Sequence, residues 1–276
     1  MTDEPAIVTG GLRGLGRAMV LGLLGAGHPV VAVCHIAGDI PDLLALAGDP
    51  APRLLPLLAD LRQPAECDRV FAATRARFGD PAILVNNAGL TFTTIDPARY
   101  RRDRPQRFWE VDDAIIQAVM DTNFVGADQM ARRAVPLMLG RGWGRIVNVT
   151  TKLDTMNRPG SSPYGPSKAA LEMSTEIWAK ELAGTGVTVN IVNPGAGANT
   201  PGMAAEVRGR SAAGSMPRLV EPDEMIAPLL WVVSRAADAV NGFRFDANAW
   251  YPNQPPEGQT RPAGFILHPI GGWRKG

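Results

Sequence analysis

Residues 6–9, Ala-Ile-Val-Thr, form a short apolar run of the kind that makes a buried strand, and Gly10, Gly11, Gly14 and Gly16 follow it. Residues 17–26 then carry apolar side chains at helical spacing. Strand, glycine turn and helix in that order make the start of the chain a βα unit. Glycines let the backbone turn sharply and approach a ligand closely. The helix N-terminus behind them presents N–H groups and a positive dipole end to an anion such as a pyrophosphate. Gly10, Arg13, Gly14, Leu15 and Gly16 are therefore candidates to line a dinucleotide site, the alternative being a glycine-rich βα loop with no ligand.

The same alternation continues. Residues 29–33, 53–59, 82–85, 145–149, 187–192 and 242–247 read as strands. Residues 66–78, 111–139, 169–182 and 221–236 read as helical. In an open parallel sheet, ligands collect at the carboxyl ends of the strands. Several chemistry-bearing residues fall at those ends. His35 follows the second strand with no carboxylate in place, and Arg13 supplies a cation to the same pocket, so NADP(H) is favoured over NAD(H). The alternative is that Asp39 takes the ribose. Asp60 and Leu61 follow the third strand, where Asp60 either meets the adenine amino group or caps the next helix. Asn86, Asn87, Ala88 and Gly89 form a second small-residue turn, with the asparagines read mainly as structural ties.

Tyr164-Gly-Pro-Ser-Lys168 places a phenol and an ammonium four residues apart, on one face of a helix entrance. Pro166 is tolerated in a first helical turn. A cation beside a phenol is expected to lower its pKa toward the working pH and make it an acid/base group.

With 276 residues, 45% of them hydrophobic, the chain is long enough for one large α/β domain. We read residues 1–250 as that domain and residues 251–276, rich in Pro and Gly, as an extension packed on its own or a neighbouring subunit. A formal net charge of +1 provides no field for nucleic acid or anionic membrane. The basic stretch Arg99, Arg101, Arg102, Arg104 and Arg107 is diluted by Asp96, Asp103 and Glu110 and is read as a solvated loop. Cys34 and Cys67 form no metal or redox pattern and are expected to be buried thiols. No apolar run is long enough for a bilayer and the N-terminus carries no signal-peptide pattern, so a soluble cytoplasmic protein is expected.

Taken together, Thr9-Gly10-x-x-x-Gly14-x-Gly16, Asp60, Asn86-Asn87-Ala88-Gly89, Asn123, Tyr164-x-x-x-Lys168 and Pro194-Gly195 resemble the short-chain dehydrogenase/reductase family over roughly the first 250 residues. The resemblance implies a single Rossmann-type doubly wound sheet of about seven parallel strands with helices on both faces. It also implies a homotetramer or homodimer, and an NADP(H)-preferring carbonyl reductase or alcohol dehydrogenase. Tyr164 would be the acid/base, and Lys168 would tune it and hold the nicotinamide ribose. Asn123 would be a helix-break residue that anchors a water between Lys168 and bulk solvent, Asn87 would support the adenosine side, and Pro194 and Gly195 the nicotinamide side. Thr151 stands where the family usually has serine, and the stretch 91–110 is longer than usual. Leu153, Met156, Pro159, Ala196 and Met203 are expected as substrate-pocket walls, under a lid formed by residues 196–214. Imine or enone reduction on the same scaffold, or a non-catalytic dinucleotide-binding sensor, are the competing functions.

Overall fold

The computed structural model describes residues 4–49, 51–251 and 261–262. The strands are β1 (Ala6–Thr9), β2 (Val30–Cys34), β3 (Leu54–Leu58), β4 (Ile83–Asn86), β5 (Gly144–Asn148), β6 (Val187–Asn193), β7 (Phe243–Asp246) and β8 (Arg261–Pro262). They form one sheet in the order β3-β2-β1-β4-β5-β6-β7-β8. All neighbours are parallel except β8, which runs antiparallel to β7 and adds an edge strand to the expected seven. The order reverses between β1 and β4, and a crevice opens beyond the strand ends at such a reversal.

The helices are α1 (Gly14–Gly25), α2 (Ile40–Ala47), α3 (Pro64–Phe78), α4 (Phe92–Ile95), α5 (Asp113–Met120), α6 (Gly126–Arg141), α7 (Leu153–Met156), α8 (Tyr164–Glu181), α9 (Ala205–Ala212) and α10 (Ile226–Val232). Strand side chains alternate between faces, and two cores result. Val30, Ala32 and Cys34 of β2 join Met19 and Leu23 of α1, Leu43 of α2 and Leu229 of α10 on one face. Val31 and Val33 join Val70 of α3, Met130 and Met138 of α6 and Ala179 of α8 on the other. Each fully buried aliphatic side chain contributes about 1.5–3 kcal/mol, so these two layers hold the frame on which the polar turns sit.

The long helical stretch expected over 111–139 is interrupted. Between α5 and α6 the chain makes one π-helical turn, Asp121–Val125, with Asn123 buried in it. Such widened turns recur at functional sites. The 91–110 stretch contains α4, and its basic part is solvated as expected: Arg101, Arg102 and Arg104 are exposed and pair with Glu206, Asp96 and Glu110, while Arg99 donates to Gly160 O at 2.6 Å. Cys34 and Cys67 are buried free thiols. Among the described residues no helix is long and apolar enough to cross a membrane, and no cluster of side chains could hold a metal. Trp250 packs against Trp231 and Phe245, at 5.9 and 6.1 Å between ring centroids. The extension expected from 251 onward lies, apart from residues 251 and 261–262, outside the described residues.

Candidate active site

The turn after β1 is built for close approach. Gly10 has φ +64°, and a Cβ on Gly16 would stand 2.0 Å from Gly10 O and 2.5 Å from Asn87 Nδ2. Only glycine fits at Gly16, and the entrance of α1 is pressed against the β1 and β4 ends. Thr9 Oγ1 accepts the N–H groups of Asn87 and Ala88 at 2.9 and 3.0 Å, and donates to Val85 O at 3.3 Å. Asn87 Nδ2 donates to Thr9 O and Gly10 O at 3.0 and 3.1 Å. Asn86 donates to Asn148 Oδ1 at 3.0 Å, and Asn148 to Thr175 Oγ1 at 2.8 Å. These asparagines are ties between strands and helices, as their sequence setting suggested.

From that turn a crevice of about 810 Å³ runs along the strand ends. It is lined by Gly10, Arg13, Gly14, Leu15, Gly16, His35, Asp60, Leu61, Asn87, Ala88 and Gly89, and continues to Thr151, Tyr164, Lys168 and Pro194. The first-turn N–H groups of a helix have no partner within it, and α1 brings Gly14, Leu15 and Gly16 to the crevice wall. A long ligand with an anionic centre fits this cradle. At the α1 end, Arg13 pairs with Asp39 at 3.8 Å, so the cation and the carboxylate weighed as rivals lie together. Asp60 does not cap α3; Gln63 occupies that position, and the Asp60 carboxylate grips Arg62 at 2.6 Å. The Arg62 guanidinium holds the Asp60 carboxyl below the usual range.

At the other end Tyr164 is the first residue of α8. The Thr151 hydroxyl hydrogen-bonds its phenol, and the Phe92 ring lies against it at 4.7 Å between centroids. Burial pushes the phenol up from its ordinary value, and the Thr151 hydrogen bond only partly opposes this. The expected downward pull from Lys168 is not what the structure has. Lys168 is 4% exposed and its Nζ donates to Val149 O at 2.9 Å. Burial lowers its own pKa to about 8, with Glu172 pulling the other way, so its charge is itself weakly held. Asn123 Oδ1 accepts from Leu90 N at 2.7 Å, and its Nδ2 donates to Leu90 O and Ser167 Oγ at 3.1 and 3.0 Å. Asn123 thus braces the Gly89–Leu90 turn to α8 and does not line the crevice. An added Cβ on Gly89 would lie 3.3 Å from Asn123 Oδ1 and 3.4 Å from Lys168 Nζ, so all three meet at one point.

A family model described as short chain dehydrogenase matches residues 4–210. The chain belongs to that family. A 3-oxoacyl-[acyl-carrier-protein] reductase of Synechocystis is 34% identical over 200 residues, covering 71% of this chain and 74% of that one. Among solved structures, an actinorhodin polyketide ketoreductase variant with NADPH superimposes with a TM-score of 0.73 at 26% identity, covering 87% and 93% of the two chains. A 3-ketoacyl-(acyl-carrier-protein) reductase of Brucella melitensis complexed with NADH superimposes with a TM-score of 0.74 at 26% identity, covering 88% and 96%. This short-chain dehydrogenase is therefore an oxidoreductase of a family that uses nicotinamide dinucleotides.

Within this short-chain dehydrogenase, four expected site residues are not on the crevice wall. Gly195 is one, and an added Cβ there would meet Asn248 Oδ1 at 1.9 Å. Leu153, Met156 and Pro159 are the others, while Ala196 and Met203 are on it. For Leu153 and Met156 the reason is helical phase: residues 153–156 form α7, which carries Thr155 to the crevice and buries Met156. Asn123 lies behind the Gly89 turn, beside Lys168. Ser161 is spent on Thr155 O at 2.5 Å, which leaves Thr151 as the hydroxyl facing Tyr164. The lid expected over 196–214 contains α9 and a β-bridge between Ala198 and Val220.

Sequence reasoning missed a buried ion pair behind the site. Arg244 of β7 pairs with Glu172 of α8, and also donates to Thr151 O at 2.7 Å. Thr150 Oγ1 donates to Glu172 Oε1 at 2.5 Å. The pair therefore fixes the backbone that presents the Thr151 hydroxyl. Glu172 follows Lys168 by one helical turn on the buried face of α8, an available signal. Phe92, Tyr100 and Arg158, which also line the crevice, were missed as well.

Proposed function

We propose that this protein transfers hydride between NADP(H) and a ketone or secondary alcohol, with Tyr164 as the group that gives or takes the proton. The observation that carries the reading is the phenol of Tyr164, hydrogen-bonded by Thr151, in the same crevice as the glycine turn. When bound, the nicotinamide supplies or accepts the hydride. Gly10, Gly14, Leu15 and Gly16 would hold the diphosphate against α1, and Asp60 and Leu61 would border the adenine. Lys168 and Pro194 would flank the nicotinamide ribose and ring. NADP(H) is the preferred form in this reading, with NAD(H) accepted. Arg13 and Arg62 are the cations at the adenosine end, and β2 ends without a carboxylate.

In reduction Tyr164 gives its proton to the carbonyl oxygen while Thr151 donates a hydrogen bond to the same oxygen. A phenol raised by burial is protonated at neutral pH, which suits this direction. Lys168 holds the turn at Val149 with its Nζ donating to Val149 O. The sensor reading rested on Thr151 standing in for serine; a threonine hydroxyl beside Tyr164 on the crevice wall favours turnover over it. Copies would associate through Met173 and Ile177, exposed one turn apart on α8, as a dimer or tetramer. The test is consumption of NADPH, followed by nicotinamide absorbance, across a panel of ketones. Turnover of ketones supports the reading; binding of NADPH without turnover of any carbonyl, imine or enone contradicts it.

A further inference from the structure

Four arginines line the crevice: Arg13, Arg62, Arg158 and Arg218. Three are paired with carboxylates, Arg13 with Asp39 at 3.8 Å, Arg62 with Asp60 at 2.6 Å and Arg218 with Glu224 at 2.6 Å. Arg158 differs. Among the described residues it has no carboxylate partner; its neighbour is the Phe92 ring, 5.5 Å from guanidinium carbon to centroid. That ring also lies against Tyr164 at 4.7 Å. Guanidinium and phenol therefore share one crevice wall around the Phe92 ring, and the Arg158 charge is felt at the phenol.

A second cation stands behind the first. The Arg99 guanidinium sits 4.2 Å from the same centroid, with its N–H groups used by Gly160 O and the Tyr100 phenol. Two guanidinium groups on one ring repel each other, and Arg99 registers that repulsion in addition to its burial. The acid nearest them, Asp96, is buried and engaged with Arg102 and the Ala98 N–H. This wall therefore has an excess of positive charge at the open mouth of the reaction crevice, where an anion would relieve it.

We propose that the substrate is a carbonyl compound carrying a carboxylate, which Arg158 pairs while the carbonyl oxygen lies at Tyr164 and Thr151. This rests on the carbonyl-reduction reading above. Arginine suits the task because its planar fork matches a carboxylate with two parallel hydrogen bonds. The reach from Arg158 to the reacting carbon sets how far along the chain the carbonyl of such an acid must lie. The carboxylate is unchanged by the reaction: hydride goes to the carbonyl carbon, the Tyr164 proton goes to the oxygen, and a hydroxy-acid leaves.

The experiment measures kcat/KM with NADPH for a graded series of linear oxo-acids and their methyl esters. For at least one chain length the wild-type protein should prefer the acid by about tenfold, the size of one partly exposed charge pair. Arg158→Gln should lower that preference by about the same factor, mainly through KM, and Arg158→Lys should restore part of it. Equal use of acid and ester at every chain length would overturn the proposal, as would an Arg158→Gln variant that loses acid and ester turnover equally. Ester turnover without acid preference would leave the carbonyl-reduction reading standing. No turnover of either class would overturn both.

Discussion

Thr151 and Tyr164 line the same crevice, where hydrogen bonding from the Thr151 side chain draws the phenol's pKa down while burial, the larger effect, pushes it up. A threonine in place of the family's usual serine can therefore serve the same end. Thr151→Val keeps the shape and removes the donor. It should lower reductive kcat roughly ten- to a hundredfold, the value of one hydrogen bond to developing charge. Thr151→Ser should stay within a few-fold of wild type in the same assay. Equal losses in both variants would mean that the methyl group, not the hydroxyl, matters.

Lys168 gives a pH dependence with a definite sign. Burial brings its folded pKa down to about 8 from the ordinary lysine value of 10.5. Between those values the unfolded chain binds the extra proton, so unfolding free energy rises with pH across that window. Lys168→Met lacks this slope. Urea unfolding should show the wild type gaining about 3 kcal/mol on the variant between pH 7 and about pH 10.5, as an upper bound. A constant difference would show that the ammonium is not strained by burial.

The Arg244–Glu172 pair is the structural support of the Thr151 backbone. Arg244→Met takes the cation from the buried Glu172 carboxylate and should cost about 3–5 kcal/mol. Glu172→Leu should cost less, because Arg244 keeps Asp246 at 3.2 Å, and both single variants should lower the urea midpoint. The double replacement should recover much of the stability yet still lower kcat, because Thr151 O loses its tie. A double variant as unstable as the singles would contradict this.

The frame was legible in the sequence and this pair was not, for a physical reason. Strand runs and the Gly10–Gly16 turn declare themselves through local spacing, since period and positive φ are local properties. Glu172 and Arg244 are 72 residues apart and meet only because α8 packs over β7. The break at Asn123 is implied by the family resemblance and not by periodicity, because a shift of one residue in hydrogen bonding leaves the apolar pattern unchanged. Likewise Leu153 and Met156 were placed in the pocket by composition, whereas the phase of α7 decides which side chain faces it.

Arg13 and Asp39 lie 3.8 Å apart at the adenosine end of the crevice. Asp39→Asn frees the cation and removes a charge that would repel a 2′-phosphate. The ratio of KM for NADH to KM for NADPH should rise several-fold, within the roughly tenfold worth of one partly exposed charge. An unchanged ratio would place the 2′-position away from this pair.

The most direct measurement is reductive turnover by Tyr164→Phe beside its affinity for NADPH, read from nicotinamide fluorescence. The substitution removes only the phenolic hydroxyl. Turnover should fall by roughly two to four orders of magnitude, the usual share of positioned proton transfer, with NADPH affinity nearly unchanged. A Tyr164→Phe protein that still reduces its ketone at the wild-type rate would contradict the account.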